Sequence, residues 1–360
     1  MGFKKPFDKI SYFLLKEWLF FASLAGLILS SLFLQRFPLY ERKDFEIIFL
    51  LFVQFSLIKG LENAGLFEII SSFLHGRKYL VLKLLLASLL LSPLITNDLA
   101  LLILCPLALT LKISHPELFF TLLAIAANAG SALTPLGNPQ NLFIYWFFRV
   151  NLGDFIKEIF PLSLVSSLFI LLIACFVFGK EKSPCKVNLS TIKFNKYRII
   201  FHLILFLMGL GLIFKIFPLK IGFILIFFNL LSEKSNIKVD FFLLGTFFFF
   251  FGFTDNLREL FRFHSFHPHY IFLSAVILSQ FMSNVPAALF LSDFTSNWAA
   301  LLWGVNVGGF GNLIGSLANI IAYRFYLQKF NRHKRFILVF HILNYFFLVL
   351  GIILYYLLKG

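Results

Sequence analysis

Two polar segments interrupt long apolar stretches of the sequence, and each places a hydroxyl residue beside an asparagine. Segment 92–98 contains Thr96, Asn97 and Asp98, and segment 279–286 contains Ser283 and Asn284. Hydroxyl and amide oxygens accept hydrogen bonds and amide nitrogens donate them, so such groups suit a hard cation or a small polar ligand. Because polar groups are costly in an apolar setting, we interpret both segments as parts of a binding site.

A region with a Gly-, Pro- and Asn-rich centre follows each polar segment, at 116–150 and at 296–323. Glycine lets a ligand approach the backbone closely, and proline removes a donor and keeps a helix from closing. A broken helix exposes N–H groups that favour an anion and carbonyl groups that suit a cation. The candidate binding residues of these centres are Thr134, Gly137, Asn138, Asn141, Asn306, Gly311, Asn312, Gly315, Ser316 and Asn319.

Asp98 is the one acid within these interrupted segments. An acid in the middle of a membrane helix costs about 2.5–3.5 kcal/mol, which favours a functional role as a cation ligand or a proton carrier. Asp98 could also cap the half-helix that follows, and the two roles can coexist. We therefore predict a possible sodium site at Asn97, Asp98 and Asn138, and we place Asp293 at an interface.

The composition indicates an all-α polytopic membrane protein. Of the 360 residues, 59% are hydrophobic and only 14% are charged, whereas a soluble domain is about a quarter charged. The mean hydropathy is +0.88. We expect about nine spans and two re-entrant hairpins, since each region at 116–150 and 296–323 has arms of about half a span. The predicted spans are 18–34, 45–59, 79–111, 157–178, 199–217, 219–232, 240–254, 270–294 and 336–358.

The net charge of +15 does not indicate nucleic-acid binding, because the basic residues lie in short loops between apolar runs. This positive-inside pattern places 179–198 and 324–335 in the cytoplasm, in contact with anionic lipid headgroups. It also predicts a cytoplasmic N-terminus, and we expect the protein in the cytoplasmic (inner) membrane.

Neither cysteine nor histidine spacing predicts a resident metal or a disulfide framework. Cys105, Cys175 and Cys185 form no Cys-x-x-Cys pair. His264, His267 and His269 lie beside Pro268, and a hydrated interfacial loop explains them better than a metal site does.

The chain reads as two related halves, an N-terminal repeat at 1–198 and a linking helix with a C-terminal repeat at 199–360. With the N-terminus inside, the hairpin at 116–150 enters from outside and the hairpin at 296–323 enters from inside. The two halves are therefore expected to be inverted. Matched polar interruptions in inverted halves are typical of secondary transporters.

At these residues the chain resembles the ion transporter superfamily, which includes citrate transporter-like proteins, divalent anion:sodium symporters and arsenical-pump permeases. Segment 134–141 is similar to a signature of the citrate branch, Asn97-Asp98 to a segment of arsenical-pump permeases, and 315–319 to tips found across the superfamily. The resemblance covers roughly residues 40–325. The paired Ser-Asn-Thr motifs of dicarboxylate symporters match 96–98 and 283–285, but Asp98 and Val285 depart from them.

The resemblance implies a homodimeric, elevator-type transporter with a scaffold and a mobile region. We expect a small anion as substrate, a di- or tricarboxylate or an inorganic oxyanion, with sodium or protons as the coupling ion and no other cofactor. An arsenite exporter or a sodium/proton antiporter is the alternative. An intramembrane enzyme is not expected, because the sequence has no Ser/His pair on a likely shared face.

Overall fold

The computed structural model describes residues 17–74, 79–179, 195–261, 267–330 and 332–360. In this part of the chain it contains sixteen α-helices and no strands. The helices are α1 (Trp18–Leu34), α2 (Arg42–Asn63), α3 (Leu66–Leu74), α4 (Leu80–Ile95), α5 (Asn97–Thr110), α6 (Pro116–Ser131), α7 (Pro139–Phe147), α8 (Leu152–Phe178), α9 (Lys196–Ile213), α10 (Ile221–Ser232), α11 (Phe241–Phe261), α12 (Pro268–Met282), α13 (Asn284–Ser292), α14 (Trp298–Gly308), α15 (Leu317–Lys329) and α16 (His333–Lys359).

Length and composition identify several helices that suit a bilayer. Four helical segments of the described chain are long and apolar enough to span it, at Leu152–Phe178, Lys196–Ile213, Lys234–Leu260 and His333–Lys359. Shorter apolar helices accompany them, and many large apolar side chains point outward. The expectation of an all-helical polytopic membrane protein is confirmed; the number of spans stays a prediction.

Two pairs of consecutive helices fold back on themselves. Helices α4 and α5 pack side by side and meet at Thr96, and α12 and α13 pack side by side and meet at Ser283. We call them hairpin 1 (α4–α5) and hairpin 2 (α12–α13). Pro93 lies one turn before the first tip, where its missing N–H weakens the helix. These are the segments that the sequence analysis described as interrupted spans.

The regions 116–150 and 296–323 do not fold back, so the expectation of hairpins there was wrong. Helices α6 and α7 do not pack side by side, and neither do α14 and α15. Each pair totals about 36 Å of helix at about 1.5 Å per residue, which is long enough for one interrupted span. We call them broken helix 1 (α6–α7) and broken helix 2 (α14–α15). The prediction from the sequence exchanged the hairpins and the broken helices, because both consist of two short apolar arms around a polar centre.

Contacts between the two halves correct the predicted membrane face of the first half. Arg335, in the first turn of α16, forms an ion pair with Glu117 at the start of α6. The distance from Arg335 Nε to Glu117 Oε1 is 2.5 Å. Lys329 donates to the backbone oxygens of Leu109 and Leu111 at 2.6 and 3.0 Å. The entry to 116–150 and the segment 324–335 therefore lie on one face of the protein, although the sequence placed them on opposite faces. The inversion of the two halves itself stays a prediction.

Three differences concern whole elements rather than a few terminal residues. Helix α3 was not predicted, because its nine residues are too short to span and merge with the preceding apolar run. The first arm of 116–150 extends over 16 residues, beyond the expected half span. The second arm of 296–323 continues to Lys329.

Fifteen of the sixteen described helices form two groups, and α3 contacts members of both. Helices α1, α2, α9, α10 and α11 pack on one another, and we call them the scaffold group. Helices α4 to α8 and α12 to α16 form the carrier group, which contains both hairpins and both broken helices. The groups meet chiefly where α7 packs on α2 and α13 packs on α11.

Candidate functional site

Each hairpin turns at one strained hydroxyl residue. Thr96 has φ 115° and ψ 151°, and Ser283 has φ 73° and ψ 160°. Non-glycine residues avoid this region, and each instance costs about 1–3 kcal/mol. The backbone N–H of each tip residue donates to the backbone oxygen of a serine four residues earlier, Ser92 or Ser279. Matched strain at both tips identifies them as equivalent and specialised segments.

The interruption of each broken helix is tied to the neighbouring hairpin at the same place. Thr134 Oγ1 in break 132–138 donates to the backbone oxygen of Pro93 at 2.5 Å. Asn312 Nδ2 in break 309–316 donates to the backbone oxygen of Gln280 at 2.6 Å. Pro93 and Gln280 each stand three residues before a tip. Thr134 and Asn312 therefore position the hairpins against the breaks.

One asparagine in each broken helix satisfies the carbonyl groups that the interruption exposes. Asn141 Nδ2 lies 3.1, 3.2 and 3.2 Å from the oxygens of Ser131, Ala132 and Thr134. Asn319 Nδ2 lies 3.1 Å from the oxygens of Gly309 and Asn312. Open helix ends need such partners when water is excluded. Asn141 and Asn319 thus hold the breaks in shape.

The two broken helices also touch each other through reciprocal amide pairs. Asn128 Nδ2 donates to Asn319 Oδ1 at 3.0 Å, and Asn306 Nδ2 donates to Asn141 Oδ1 at 2.9 Å. Each pair joins the first half of one broken helix to the second half of the other.

Asn128 is the centre of this network. Its Oδ1 accepts from Asn97 Nδ2 at 3.0 Å and from Ser316 Oγ at 2.9 Å. Its Nδ2 also donates to Gly309 O at 3.2 Å. One side chain therefore connects hairpin 1 with both broken helices.

Glycine is required at two positions of the breaks. A Cβ added at Gly137 would lie 2.0 Å from the backbone oxygen of Ser131. Gly311 has φ +101°, and an added Cβ would lie 2.2 Å from Gln280 Oε1. Any other residue would force a backbone shift at Gly137 and would adopt a strained φ at Gly311.

A cavity of about 260 Å³ lies where the hairpin tips and the breaks converge. This size suits a small ligand. The residues that line it are Glu17, Trp18, Leu19, Phe20, Asn97, Asp98, Asn138, Pro139, Gln140, Asp240, Phe242, Leu243, Thr246, Ser283, Asn284, Val285, Pro286, Ile314, Ser316, Leu317, Ile320 and Arg324.

The structure brings six of the fifteen sequence-predicted residues to this cavity, and the other nine do not line it. The six are Asn97, Asp98, Asn138, Ser283, Asn284 and Ser316. The nine are Thr96, Thr134, Gly137, Asn141, Asn306, Gly311, Asn312, Gly315 and Asn319. Their role in binding stays a prediction; their observed contacts shape the tips and the breaks.

Four helices begin at the cavity. Asn97 starts α5, Pro139 starts α7, Asn284 starts α13 and Leu317 starts α15, and all four residues line the cavity. A helix N-terminus carries a partial positive charge and open N–H groups, so the four together favour negative charge.

Charged side chains also line the cavity, and they are mostly acidic. Glu17, Asp98 and Asp240 contribute carboxylates and Arg324 contributes a guanidinium group. Asp98 Oδ1 is buried and accepts no hydrogen bond from the described residues. Asp98 and Asp240 interact electrostatically. The cavity thus combines a set of helix ends that favours an anion with acidic side chains that favour a cation.

Several residues of the site were not among those predicted from the sequence. Asn128 lies within a regular helix, and Gln280 stood in the interrupted segment 279–286 but was not selected. Gln140 stood within the Asn-rich centre and could have been selected by its type. Asp240 and Arg324 come from the edges of apolar runs and reach the cavity only through tertiary packing.

The described residues contain no group of three or more His, Cys, Asp or Glu side chains that could hold a metal ion. His264 lies outside the described residues, and the His269 N–H donates to His267 Nδ1 at 3.4 Å. At the predicted sodium site, Asn97 Oδ1 accepts from the Asp98 N–H at 2.8 Å. Asn138 Nδ2 donates to Ser131 Oγ at 2.7 Å.

Comparison with known proteins agrees with this geometry. The citrate transporter family matches residues 19–303, which is most of the chain. The chain belongs to the citrate transporter family. The resemblance to the ion transporter superfamily is thereby confirmed, and the protein is an integral membrane transporter rather than an enzyme.

Three relatives are similar over different lengths. An uncharacterized transporter of Methanocaldococcus jannaschii is 32% identical over 85% of this chain and 88% of its own length. The inner membrane protein YbiR of Escherichia coli is 34% identical over 74% of this chain and 76% of its own. The silicon efflux transporter LSI3 of rice is 31% identical over 39% of this chain and 31% of its own.

Proposed function

We propose that the protein is a secondary active transporter of a small anion, a di- or tricarboxylate or an inorganic oxyanion, coupled to sodium or protons. The proposal rests chiefly on Gln140 at the start of α7. This residue is 1% exposed and lines the cavity, and its Nε2 finds no acceptor among the described residues. A buried donor without an acceptor costs about 1–3 kcal/mol, so a ligand oxygen is its natural partner.

Asp98 is the proposed site of the coupling ion. Asp98 lines the same cavity as the helix N-termini, and its buried Oδ1 has no hydrogen-bond partner among the described residues. A sodium ion or a proton there would offset the negative charge that otherwise opposes an anionic substrate. Binding of the ion would therefore favour binding of the anion.

We propose an elevator-type movement of the carrier group against the scaffold group. The hairpins and broken helices pack mainly on one another, which supports their movement as a unit. One link that would have to break is the hydrogen bond from Gln54 Nε2 on α2 to Leu136 O, at 2.9 Å. A homodimer held through the scaffold group, in the cytoplasmic membrane, completes the proposal.

An exporter of an oxyacid such as arsenite, or a sodium/proton antiporter, is the second candidate. The acidic lining of the cavity at Asp98 and Asp240 favours it, because two carboxylates oppose a multiply charged anion. A similar relative in rice is named as a silicon efflux transporter.

Flux in proteoliposomes tests the proposal. Citrate, succinate, sulfate and arsenite are offered separately under an imposed sodium or proton gradient, with empty liposomes as the control. Gradient-dependent uptake of citrate, succinate or sulfate is the expected result. Cation exchange without anion flux, lost in Asp98→Asn, would replace the proposal with an antiporter.

A further inference from the structure

We infer that the two hairpin tips bind different ligands: the tip of hairpin 2 binds the anionic substrate and the tip of hairpin 1 binds the coupling ion. The inference rests on the proposed function and adds to it. It assigns different ligands to two segments that each place a hydroxyl residue before an asparagine, Thr96-Asn97-Asp98 and Ser283-Asn284-Val285.

The N-terminus of α5, at the tip of hairpin 1, is closed by its own hydrogen bonds. The Asn97 N–H donates to Gly137 O at 3.1 Å, and the Asp98 N–H donates to Asn97 Oδ1 at 2.8 Å. The Leu99 N–H donates to Thr96 Oγ1 at 3.4 Å. The first three N–H groups of this helix therefore have acceptors already, and an anion could gain them only by breaking those bonds.

The side chains of hairpin 1 add an obstacle to anion binding. Asn97 Nδ2 is engaged with Asn128 Oδ1 at 3.0 Å and with Ser316 Oγ at 3.4 Å. What this tip offers to the cavity is the Asp98 carboxylate, whose Oδ1 lacks a partner in the described chain and which interacts with Asp240. Such a site attracts a cation and repels an anion.

The N-terminus of α13, at the tip of hairpin 2, is open. Among the hydrogen bonds of the described residues, the N–H groups of Asn284 and Val285 have no acceptor. Pro286 has no N–H, and the next donor, Ala287, returns to Ser283 O at 3.2 Å. The two open N–H groups belong to a helix of nine residues that starts at the cavity.

Val285 keeps this tip free of negative charge, at the position that matches Asp98. Gln140 supplies an independent indication of a ligand, because this residue lines the same cavity and its buried Nε2 has no acceptor in the described residues. Its helix, α7, packs on α13. An anion at this end of the cavity would accept from the α13 N-terminus and from Gln140. The difference between Asp98 and Val285 thus decides which tip takes which ligand.

Two matched substitutions test the division. Val285→Asp gives hairpin 2 the acid of hairpin 1, with Val285→Asn as its uncharged control, and Asp98→Asn removes the acid of hairpin 1. Each purified variant is reconstituted with whichever of citrate, succinate or sulfate the native protein takes up. Anion exchange without an ion gradient reports substrate binding, and gradient-driven accumulation reports coupling.

We expect Val285→Asp to lower anion exchange about tenfold or more, because like charges placed together cost several kcal/mol. Val285→Asn adds a polar side chain of similar size without charge, so it should lower exchange much less than Val285→Asp does. Asp98→Asn should lose its response to the sodium or proton gradient. Loss of exchange in Asp98→Asn with native exchange in Val285→Asp would reverse the roles, and equal loss in both would make the site shared; either result overturns the inference.

If Val285→Asp does not fold, a charge attached to the folded protein at the same position provides the test. In a background with Cys105, Cys175 and Cys185 replaced by alanine, Val285→Cys is modified with an anionic or a neutral methanethiosulfonate. Only the anionic reagent should stop exchange; equal effects of both reagents contradict the inference. Absence of uptake of all three anions by the native protein overturns the proposed function first, so the two failures are distinguishable.

Discussion

Asparagine dominates this site because its amide can donate and accept at once, which satisfies broken backbone without adding charge. Asn128 shows the principle most fully, since its oxygen accepts two hydrogen bonds and its nitrogen donates two. Replacing it would leave several buried groups without a partner at the same time. We therefore expect Asn128 to contribute more to stability than a typical buried amide.

Asn128→Ala should lower the free energy of unfolding by about 2–4 kcal/mol, because each buried group that loses its partner costs about 1–3 kcal/mol. Asn344→Ala is the matched control. Asn344 is equally buried, but its Oδ1 already lacks a partner in the described chain, so its loss should cost about 1 kcal/mol or less. Thermal unfolding in detergent measures both, and equal shifts in Tm would contradict a special role for Asn128.

The strained tips make a second prediction at the level of single residues. Ser283→Gly should raise the free energy of unfolding of the substrate-free protein by about 1 kcal/mol, because glycine adopts φ 73° without steric cost. Ser283→Ala keeps the strain and serves as the control. A lower Tm for Ser283→Gly than for Ser283→Ala would show that the tip is not strained as described.

Residues that break an apolar pattern could be selected from the sequence, whereas those within such a pattern could not. Asn97, Asp98, Ser283 and Asn284 stand out because polar groups interrupt long apolar runs, and all four reach the cavity. Asn128 lies in a helix whose other residues are nearly all apolar or small, and its partners are 31 to 191 residues away. Its importance depends on contacts that no local pattern records.

At the scale of elements, the sequence identified where helices break but not which pairs fold back. Both kinds of pair consist of short apolar arms around a polar centre. The distinction depends on whether the two arms pack closely on each other, which is a tertiary contact. Small residues also let each hairpin pack closely on the broken helix of its own half. A Cβ at Gly130 on α6 would lie 2.5 Å from Leu89 O on α4, and a Cβ at Gly308 on α14 would lie 2.5 Å from Ser279 Cβ on α12.

Gly130→Ala should therefore lower the free energy of unfolding by about 1–3 kcal/mol, the usual cost of an overfilled contact. Gly308→Ala should behave in the same way. Gly153→Ala is the control, because an added Cβ there meets nothing within 4 Å in helix α8, so it should stabilise by about 0.5–1 kcal/mol. If Tm rises in Gly130→Ala as it does in Gly153→Ala, hairpin 1 does not pack on α6 as closely as described.

At the scale of the whole molecule, the exchange of hairpin and broken helix changes which loops share a face of the membrane. A hairpin at 116–150 would return the chain to the face it left, so His115 and Asn151 would lie on one side. A broken helix carries the chain across, so the same residues lie on opposite sides. The pairing of Glu117 with Arg335 adds that His115 and Arg332 share a face.

Single cysteines at exposed positions, in a background free of native cysteine, show which loops share a face of the membrane. Because basic loops favour the cytoplasm, His115→Cys and Arg332→Cys should react with a membrane-impermeant maleimide only in inverted vesicles. Asn151→Cys and Ser296→Cys should react in intact spheroplasts, since one broken helix separates each from its cytoplasmic partner. A detergent-solubilised sample controls for buried thiols. Labelling of His115→Cys and Asn151→Cys from the same side would restore the hairpin at 116–150 and contradict the fold described above.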